Sequence, residues 1–188
     1  KIDKKLTEMV DEISVVIKDL ETIKPMEEDS AGYLISTIEG LKIEKAIYEN
    51  DLKAAGILQE KSQNSYEDML NYFAAEEAVS EKMKAASLKI ETAQQKFAED
   101  NDMILTESDS KLSVQLDEIA KVNNYANRVY LQYFRAYKPV SLFFEAMNNN
   151  LYTEADSLIK EITKATTISV DSLTVIPSFN GNSNLKTK

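Results

Sequence analysis

A long stretch without glycine or proline is the feature that most limits what this chain can fold into. Neither residue occurs between Tyr66 and Met103. Apolar side chains recur there every three or four positions, which is the spacing of one face of an α-helix. Such a helix is roughly 55 Å long at 1.5 Å per residue, and rods of that length are typical of long bundles. Its apolar positions are Met69, Leu70, Phe73, Ala74, Val79, Met83, Ala86, Leu88, Ile90, Ala93 and Phe97.

The remaining sequence shows the same spacing between recognisable helix ends. Pro25 and Pro177 each end an apolar pattern, because a proline ring removes an amide donor and clashes with the preceding turn. Asp29 or Ser30 can cap a second helix, and Ser65 with Asp68 forms a capping box for the long one. Asn148, Asn149 and Asn150 form a turn, with Asn150 as the cap of the helix that follows.

Two positions leave the helix boundaries open. Gly56 either ends the second helix or lies inside one that continues to Glu60. Pro139 interrupts the most aromatic helix and predicts a kink or a short break between Tyr137 and Pro139. With only 4 Gly and 3 Pro in 188 residues, turns are few. The sequence therefore predicts an all-α, elongated bundle of about five long helices, mostly up-and-down, forming a single domain over residues 1–188.

A weak internal repeat accompanies the two proline-terminated helix ends. Residues 17–34 and 170–187 share Leu, Ile, an acid or amide, and Ser at a constant offset, while the proline slips by one position. The similarity is consistent with one helix-turn-helix unit used twice. Two similar helix stops that arose independently explain it equally well.

Missing residue types exclude several kinds of chemistry. The chain contains no Cys and no His, so thiolate nucleophiles, Cys/His zinc sites and imidazole bases are absent. A net charge of −10 and the lack of a basic cluster argue against nucleic-acid binding. Carboxylate hydrolases remain a remote option, since no Trp is present to stack on a sugar. We therefore predict no enzymatic activity and no cofactor.

Four acidic residues crowd one short segment of the sequence and raise the question of a cation site. They are Asp100, Asp102, Glu107 and Asp109. Calcium prefers oxygen ligands, but an EF-hand loop also requires a glycine, and this segment has none. We expect solvated acids here and predict no metal site.

The aromatic helix contains the candidate binding residues. Tyr130, Tyr133, Phe134 and Tyr137 follow the helical repeat, which predicts a buried seam by default. The alternative is an aromatic groove for a ligand or partner helix, opened by a kink at Pro139.

The only arginines of the chain occur on the same helix. Arg128 and Arg135 lie seven residues apart, hence on one helix face. An ion pair with Glu or Asp on another helix is the expected role. The alternative is an anion or partner site, since Arg also stacks on rings and holds carboxylates through two hydrogen bonds. The candidate groove thus comprises Arg128, Tyr130, Tyr133, Arg135 and Tyr137.

Residues 90–188 contain segments that resemble the leptospiral-type surface protein family, predicted bacterial lipoproteins of unknown function. The resemblance rests on residues 124–137, on residues 143–150 and on the Ile-Pro-Ser-Phe-Asn-Gly-Asn-Ser-Asn-Leu segment at 176–185. Gln95 to Ala98, with Asp102 and Met103, fits the same pattern. The resemblance implies export and a lipid anchor on a cysteine upstream of this sequence, and it brings no catalytic residues with it.

The expected function is therefore a non-enzymatic exported protein of the bacterial surface or periplasm. The resemblance implies attachment to the membrane only through a lipid anchor outside this chain. The partner is expected to be an unknown protein or small ligand. The alternative is an intracellular scaffold or adaptor resembling a coiled coil.

Overall fold

The computed structural model describes residues 2–25, 29, 32–105 and 111–179, and within these it contains helices and no strand. The α-helices are α1 (Ile2–Thr22), α2 (Tyr33–Ala46), α3 (Leu52–Lys61), α4 (Tyr66–Asp100), α5 (Lys111–Asn148) and α6 (Tyr152–Val175). A π-helical turn, Ile47–Asp51, joins α2 to α3 without a break. The described residues thus form five continuous helices, and the predicted all-α bundle is confirmed.

The contacts of the chain divide it into two compact units. Unit 1 comprises Lys1–Glu60 and Tyr72–Ser108, and unit 2 comprises Lys61–Asn71 and Asp109–Lys188. The first residues of α4 therefore belong to unit 2 and the remainder to unit 1. The single domain predicted for residues 1–188 stays a prediction.

In unit 1, ion pairs join helices that are distant in the sequence. Lys42 of α2 lies 2.6 Å from the carboxylate of Glu21 in α1, and Lys82 of α4 lies 2.8 Å from that of Asp51 in the π-helical turn. Lys89 of α4 also donates a hydrogen bond to Glu39 of α2. These side chains are substantially exposed, so the pairs set which faces meet more than they stabilise the fold.

Gly40 explains how closely α2 approaches α4. Its position is buried, and a β-carbon there would lie 2.6 Å from Cγ1 of Ile90 and closer still to Cδ1. A glycine inside a helix is unfavourable by about 1 kcal/mol relative to alanine. The Ile90 side chain occupies the space that any larger residue at position 40 would need, so tertiary packing outweighs helix propensity at this site.

Unit 2 is built on a helical hairpin between α5 and α6. Only three residues separate the two helices, so α6 must return antiparallel along α5. Small side chains, Ala146 and Ala155, allow a close approach and pack with Leu158 in the core. At the far end of the hairpin, the Phe179 ring lies 5.4 Å from the Tyr125 ring, so Phe179 closes this end of the unit.

Several helix ends follow the predicted chemistry. Asp29 accepts hydrogen bonds from the amides of Tyr33 and Leu34, at 2.6 and 3.1 Å. Ser65 caps α4 as predicted, since the Asp68 amide donates to Ser65 Oγ at 3.0 Å, and the Ser65 hydroxyl donates in turn to the Asp68 carboxylate at 2.7 Å. Both α1 and α6 end just before their prolines, at Thr22 and Val175. Local sequence is sufficient at these ends because the capping groups lie within a few residues of the amides they satisfy.

Asn150 acts at a different helix end from the one predicted. It adopts the left-handed conformation, with φ of 60°, and terminates α5 rather than capping α6. The Leu151 amide donates to the Ala146 carbonyl at 2.8 Å, and the Asn150 amide to the Met147 carbonyl at 3.1 Å. This pair of bonds is a Schellman motif with Asn at the position that glycine usually occupies.

At both uncertain helix boundaries the structure shows a continuous helix. Gly56 lies inside α3, which continues to Lys61. Pro139 lies inside α5, and the helix passes through it without the short break offered as one alternative. Much of the proposed repeat falls outside the described residues, at positions 26–28, 30–31 and 180–187, so the repeat stays a prediction.

Candidate functional site: an exposed tyrosine face on α5

Three tyrosines of α5 form an aromatic ladder on the outside of the protein. Tyr130, Tyr133 and Tyr137 are 38%, 54% and 47% exposed. The rings of Tyr133 and Tyr137 stack with centroids 5.4 Å apart and planes 15° apart. The Tyr130 ring lies 5.9 Å from that of Tyr133. The rings support one another, and their surface remains available to a partner.

Phe134 is the one member of the predicted seam that is fully buried. It is 1% exposed, and its ring lies 6.0 Å from the Tyr130 ring. The default expectation of a buried seam therefore holds for Phe134 and not for the tyrosines. Successive residues of a helix are rotated by roughly 100°, so Phe134 points to the side of the ladder, toward the core.

The ladder continues in both directions along α5. Toward each end, exposed apolar side chains follow the helical repeat and lie on the same side as the tyrosines. No charged residue occurs among them. We define the tyrosine face as Ile119, Val122, Tyr130, Tyr133, Tyr137, Phe144 and Met147, all of which are exposed.

Arg135 is engaged inside unit 2. Its guanidinium carbon lies 4.1 Å from the centroid of the Tyr66 ring, and its Nη2 donates a hydrogen bond to the Tyr66 hydroxyl. Its Nη1 donates to Gln132 Oε1 at 3.0 Å. The inter-helix role predicted for this arginine is therefore filled by a tyrosine rather than by a carboxylate.

Arg128 is exposed, and among the described residues no acidic side chain pairs with it. Although Arg128 and Arg135 share a helix face, that face lies roughly 160–180° around α5 from Tyr137. The structure thus brings the three tyrosines together and separates them from both arginines. The five candidate residues do not line one groove.

A separate apolar cleft lies in unit 1. Its volume is about 220 Å³, and it is lined by Leu20, Ile23, Tyr33, Leu34 and Phe97 with a few polar neighbours. The rings of Tyr33 and Phe97 lie 5.7 Å apart. Ligand pockets usually measure about 300–1,000 Å³, so this cleft suits only a small apolar group. Asp29 borders it, but its carboxylate is occupied by the two amides of α2.

The perturbed titratable groups lie away from the tyrosine face. Burial, together with a 2.5 Å hydrogen bond to Glu76, raises the pKa of Tyr72 to about 12. Burial and nearby Glu44 raise the pKa of Tyr48. The Lys89 ammonium lowers the pKa of Glu39. These shifts follow from burial and simple pairs, and they do not gather at one site.

The described residues provide no cluster of three or more acidic side chains that could hold a metal ion. Asp100 accepts a hydrogen bond from Lys96 at 2.6 Å, and this contact raises the pKa of Lys96. Glu107 and Asp109 of the acidic segment lie outside the described residues. None of the described helices is long and apolar enough to cross a membrane.

Comparisons with protein-family models, with curated proteins and with solved structures find no match to this chain. The function must therefore be argued from the residues themselves. Sequence reasoning missed Ile119, Val122, Phe144 and Met147 as members of a surface, and it missed Tyr66 as the partner of Arg135. The sequence signal for the first group was that apolar residues occur on two sides of α5. One neighbouring helix can cover only one of these sides, so the other stays exposed.

Proposed function

We propose that the protein is a non-enzymatic binding protein whose tyrosine face receives the apolar side of a partner protein. The exposed ladder of Tyr130, Tyr133 and Tyr137 carries the proposal. Tyrosine is enriched at protein interfaces because it buries a large ring while its hydroxyl remains able to hydrogen-bond. Three rings that contact one another along one helix also lose little conformational freedom when a partner covers them.

The shape and charge of this surface favour a protein over other ligands. An uncharged apolar stripe on a helix is suited to the apolar face of another helix. The net charge of −10 gives no support for nucleic acid as the partner. The unit 1 cleft is too small for most ligands, so binding of a small apolar molecule there is only a second candidate.

The proposal includes export to the surface or periplasm of a bacterium, supported by the family resemblance of residues 90–188. In that setting a lipid anchor outside this chain holds the protein at the membrane. The alternative is an intracellular scaffold that uses the same face. Fractionation of source cells separates the two, since the scaffold is expected with the cytosol and the exported protein with the envelope.

Photo-cross-linking tests the binding function directly. A benzophenone amino acid replaces Tyr133 in the full chain expressed in source cells, and adducts are identified by mass spectrometry. The matched control places the same amino acid at Tyr152, which is exposed but lies outside the tyrosine face. Specific adducts from position 133 and none from position 152 support the proposal. Equal labelling at both positions, or none at position 133, rejects it.

The second candidate has its own test. Aromatic compounds small enough for the cleft are titrated while the chemical shifts of Tyr33 and Phe97 are followed. A Leu34→Trp variant fills the cleft and serves as the control. Saturable shifts that disappear in this variant support ligand binding, and absence of shifts in the unmodified protein excludes it for these compounds.

A further inference from the structure

We propose that the tyrosine face pairs with the same face of a second copy of this chain, forming an antiparallel coiled coil between two α5 helices. The inference rests on the proposed function, since it names the partner of that same face.

That side of α5 follows a seven-residue repeat through four successive heptads. One apolar position of the repeat, position a, is filled by Ile119, Ala126, Tyr133, Val140 and Met147. The second, position d, is filled by Val122, Val129, Ala136 and Phe143. An a/d repeat of this length is typical of a helix that supercoils with another helix.

The neighbouring positions show which side remains available. The residues that follow the four d positions are Asn123, Tyr130, Tyr137 and Phe144, all exposed. On the opposite flank of the repeat, Pro139 and Ala146 are buried, and Ala146 packs against α6. The hairpin therefore covers this flank and reaches position d at Phe143, which packs against the same core. Four of the five a positions and the tyrosine flank remain exposed and open to another helix.

Self-complementarity indicates the second copy as the occupant. Reversing one helix brings position a of one copy opposite position d of the other. If Tyr133 faces Ala136 of the other copy, then Val129 faces Val140 and Ala126 faces Phe143. In these three central layers large side chains meet small ones and medium ones meet medium ones, and the next layer outward pairs Val122 with Met147. An isologous pair requires such a match of one surface to itself.

Charge and area agree with this pairing. None of the a and d residues is charged, so two copies of a chain with net charge −10 can approach through this seam. The exposed parts of the Tyr130, Tyr133, Tyr137 and Phe144 rings amount to roughly 400 Å² per copy, taking ~200 Å² for a whole ring. With the aliphatic ends of the seam, a symmetric pair exceeds the ~1,000 Å² expected of a specific interface.

Sedimentation and light scattering of the full chain over a wide concentration range test the association. We expect a monomer–dimer equilibrium whose association constant falls at least about tenfold in Tyr133→Lys. Tyr152→Lys makes the same change outside the face and should leave the equilibrium unchanged. A monomer at all concentrations overturns the inference, and so does an equal effect of both variants.

Cysteine cross-linking tests the register, because residues 1–188 contain no cysteine. A Val129→Cys protein and a Val140→Cys protein should form a disulfide-linked pair only when they are mixed. A parallel pair would instead link each variant to itself, and that result overturns the proposed arrangement. Circular dichroism confirms that each variant remains helical.

The two proposals fail in distinguishable ways. A monomeric chain whose Tyr133 adducts contain a different protein rejects self-pairing and leaves the binding function standing. A monomeric chain without specific adducts rejects both. Adducts that contain only peptides of this chain, together with dimers in solution, support both.

Discussion

The guanidinium carbon of Arg135 lies 4.1 Å from the centre of the Tyr66 ring, although the two residues are 69 positions apart in the chain. A cation over an aromatic face is attracted by the negative charge of that face. The hydrogen bond from Arg135 to the Tyr66 hydroxyl adds a directional contact. Together they hold the first turn of α4 against α5 within unit 2.

Replacing Arg135 by Ala should lower the free energy of unfolding by about 1–2 kcal/mol, because both contacts are lost. Arg135→Lys should recover only part of this stability, since a lysine lacks the planar group that lies along the ring. Tyr66→Phe should lower it by about 1 kcal/mol through the lost hydroxyl contact. Urea unfolding of the single and double variants provides a double-mutant cycle.

Arg128→Ala is the matched control for the arginine variants. Arg128 is exposed, so its loss should change the free energy of unfolding by less than about 0.5 kcal/mol. Additive effects of Arg135→Ala and Tyr66→Phe would contradict the hydrogen bond between the two side chains. Equal destabilisation by Arg128→Ala and Arg135→Ala would contradict the different roles that their surroundings indicate.

Gly40→Ala should destabilise unit 1 even though alanine is the better helix former. The gain in helix propensity is about 1 kcal/mol, whereas overpacking against Ile90 typically costs about 1–3 kcal/mol. In an Ile90→Ala background the obstacle is absent, so the same substitution should become stabilising by about 1 kcal/mol. Thermal unfolding of the four proteins checks this change of sign, and a stabilising Gly40→Ala in both backgrounds would contradict the close packing.

The stability of Asn150 variants should follow how well the new residue tolerates a positive φ. Asn150→Ala should lose about 1 kcal/mol relative to Asn150→Gly, since a β-carbon is unfavourable in the left-handed conformation. Both variants remove the hydrogen bond that Tyr152 donates to the Asn150 side chain at 2.9 Å. The comparison between them therefore isolates the backbone effect. Equal free energies of unfolding for the two variants in chemical denaturation would refute it.

The stability contributed by Tyr72 should disappear at high pH. Its pKa is raised from 10.0 to about 12 in the folded protein, so the folded state holds this proton more tightly than the unfolded state does. The contribution is fully present below pH 10 and is lost as the pH rises through about 12. Spectroscopic titration of tyrosinate should show a late step for Tyr72, and this step should be absent in Tyr72→Phe.

Glu76→Gln separates the causes of that shift. Burial is the larger cause and stays, while the hydrogen bond to the carboxylate and its negative charge are changed. The late step should therefore move toward lower pH without reaching the ordinary value of tyrosine. A titration unchanged by Glu76→Gln would show that the 2.5 Å contact does not contribute.

The sequence was sufficient for features whose causes are local. Helical spacing predicted the five helices, and Pro25, Ser65 and Pro177 predicted helix ends correctly because capping and steric exclusion act within about one turn. Gly56 and Pro139 were ambiguous for the opposite reason. Packing of their helices can outweigh a local preference of a few kcal/mol, and the sequence does not state the packing.

The sequence predicted which residues belong to the candidate site but not which of them lie on the surface. The repeat of Tyr130, Tyr133 and Tyr137 was visible in the sequence, but whether it is buried depends on which side of α5 the other helices cover. Phe134 belongs to the same repeat and is buried. Rotation around the helix turns Phe134 toward the core beside Tyr130, and rotation also separates the ladder from Arg135.

By itself the sequence determined that this protein is helical, contains no thiol or imidazole group, and aligns Tyr130, Tyr133 and Tyr137 along one side of one helix. Tertiary structure alone decided that these tyrosines face outward, that Arg135 meets Tyr66, and that Gly40 gives space to Ile90. Local preferences fix the period and the ends of a helix. Contacts between distant residues fix which of its sides is buried, and those contacts form only when the chain packs.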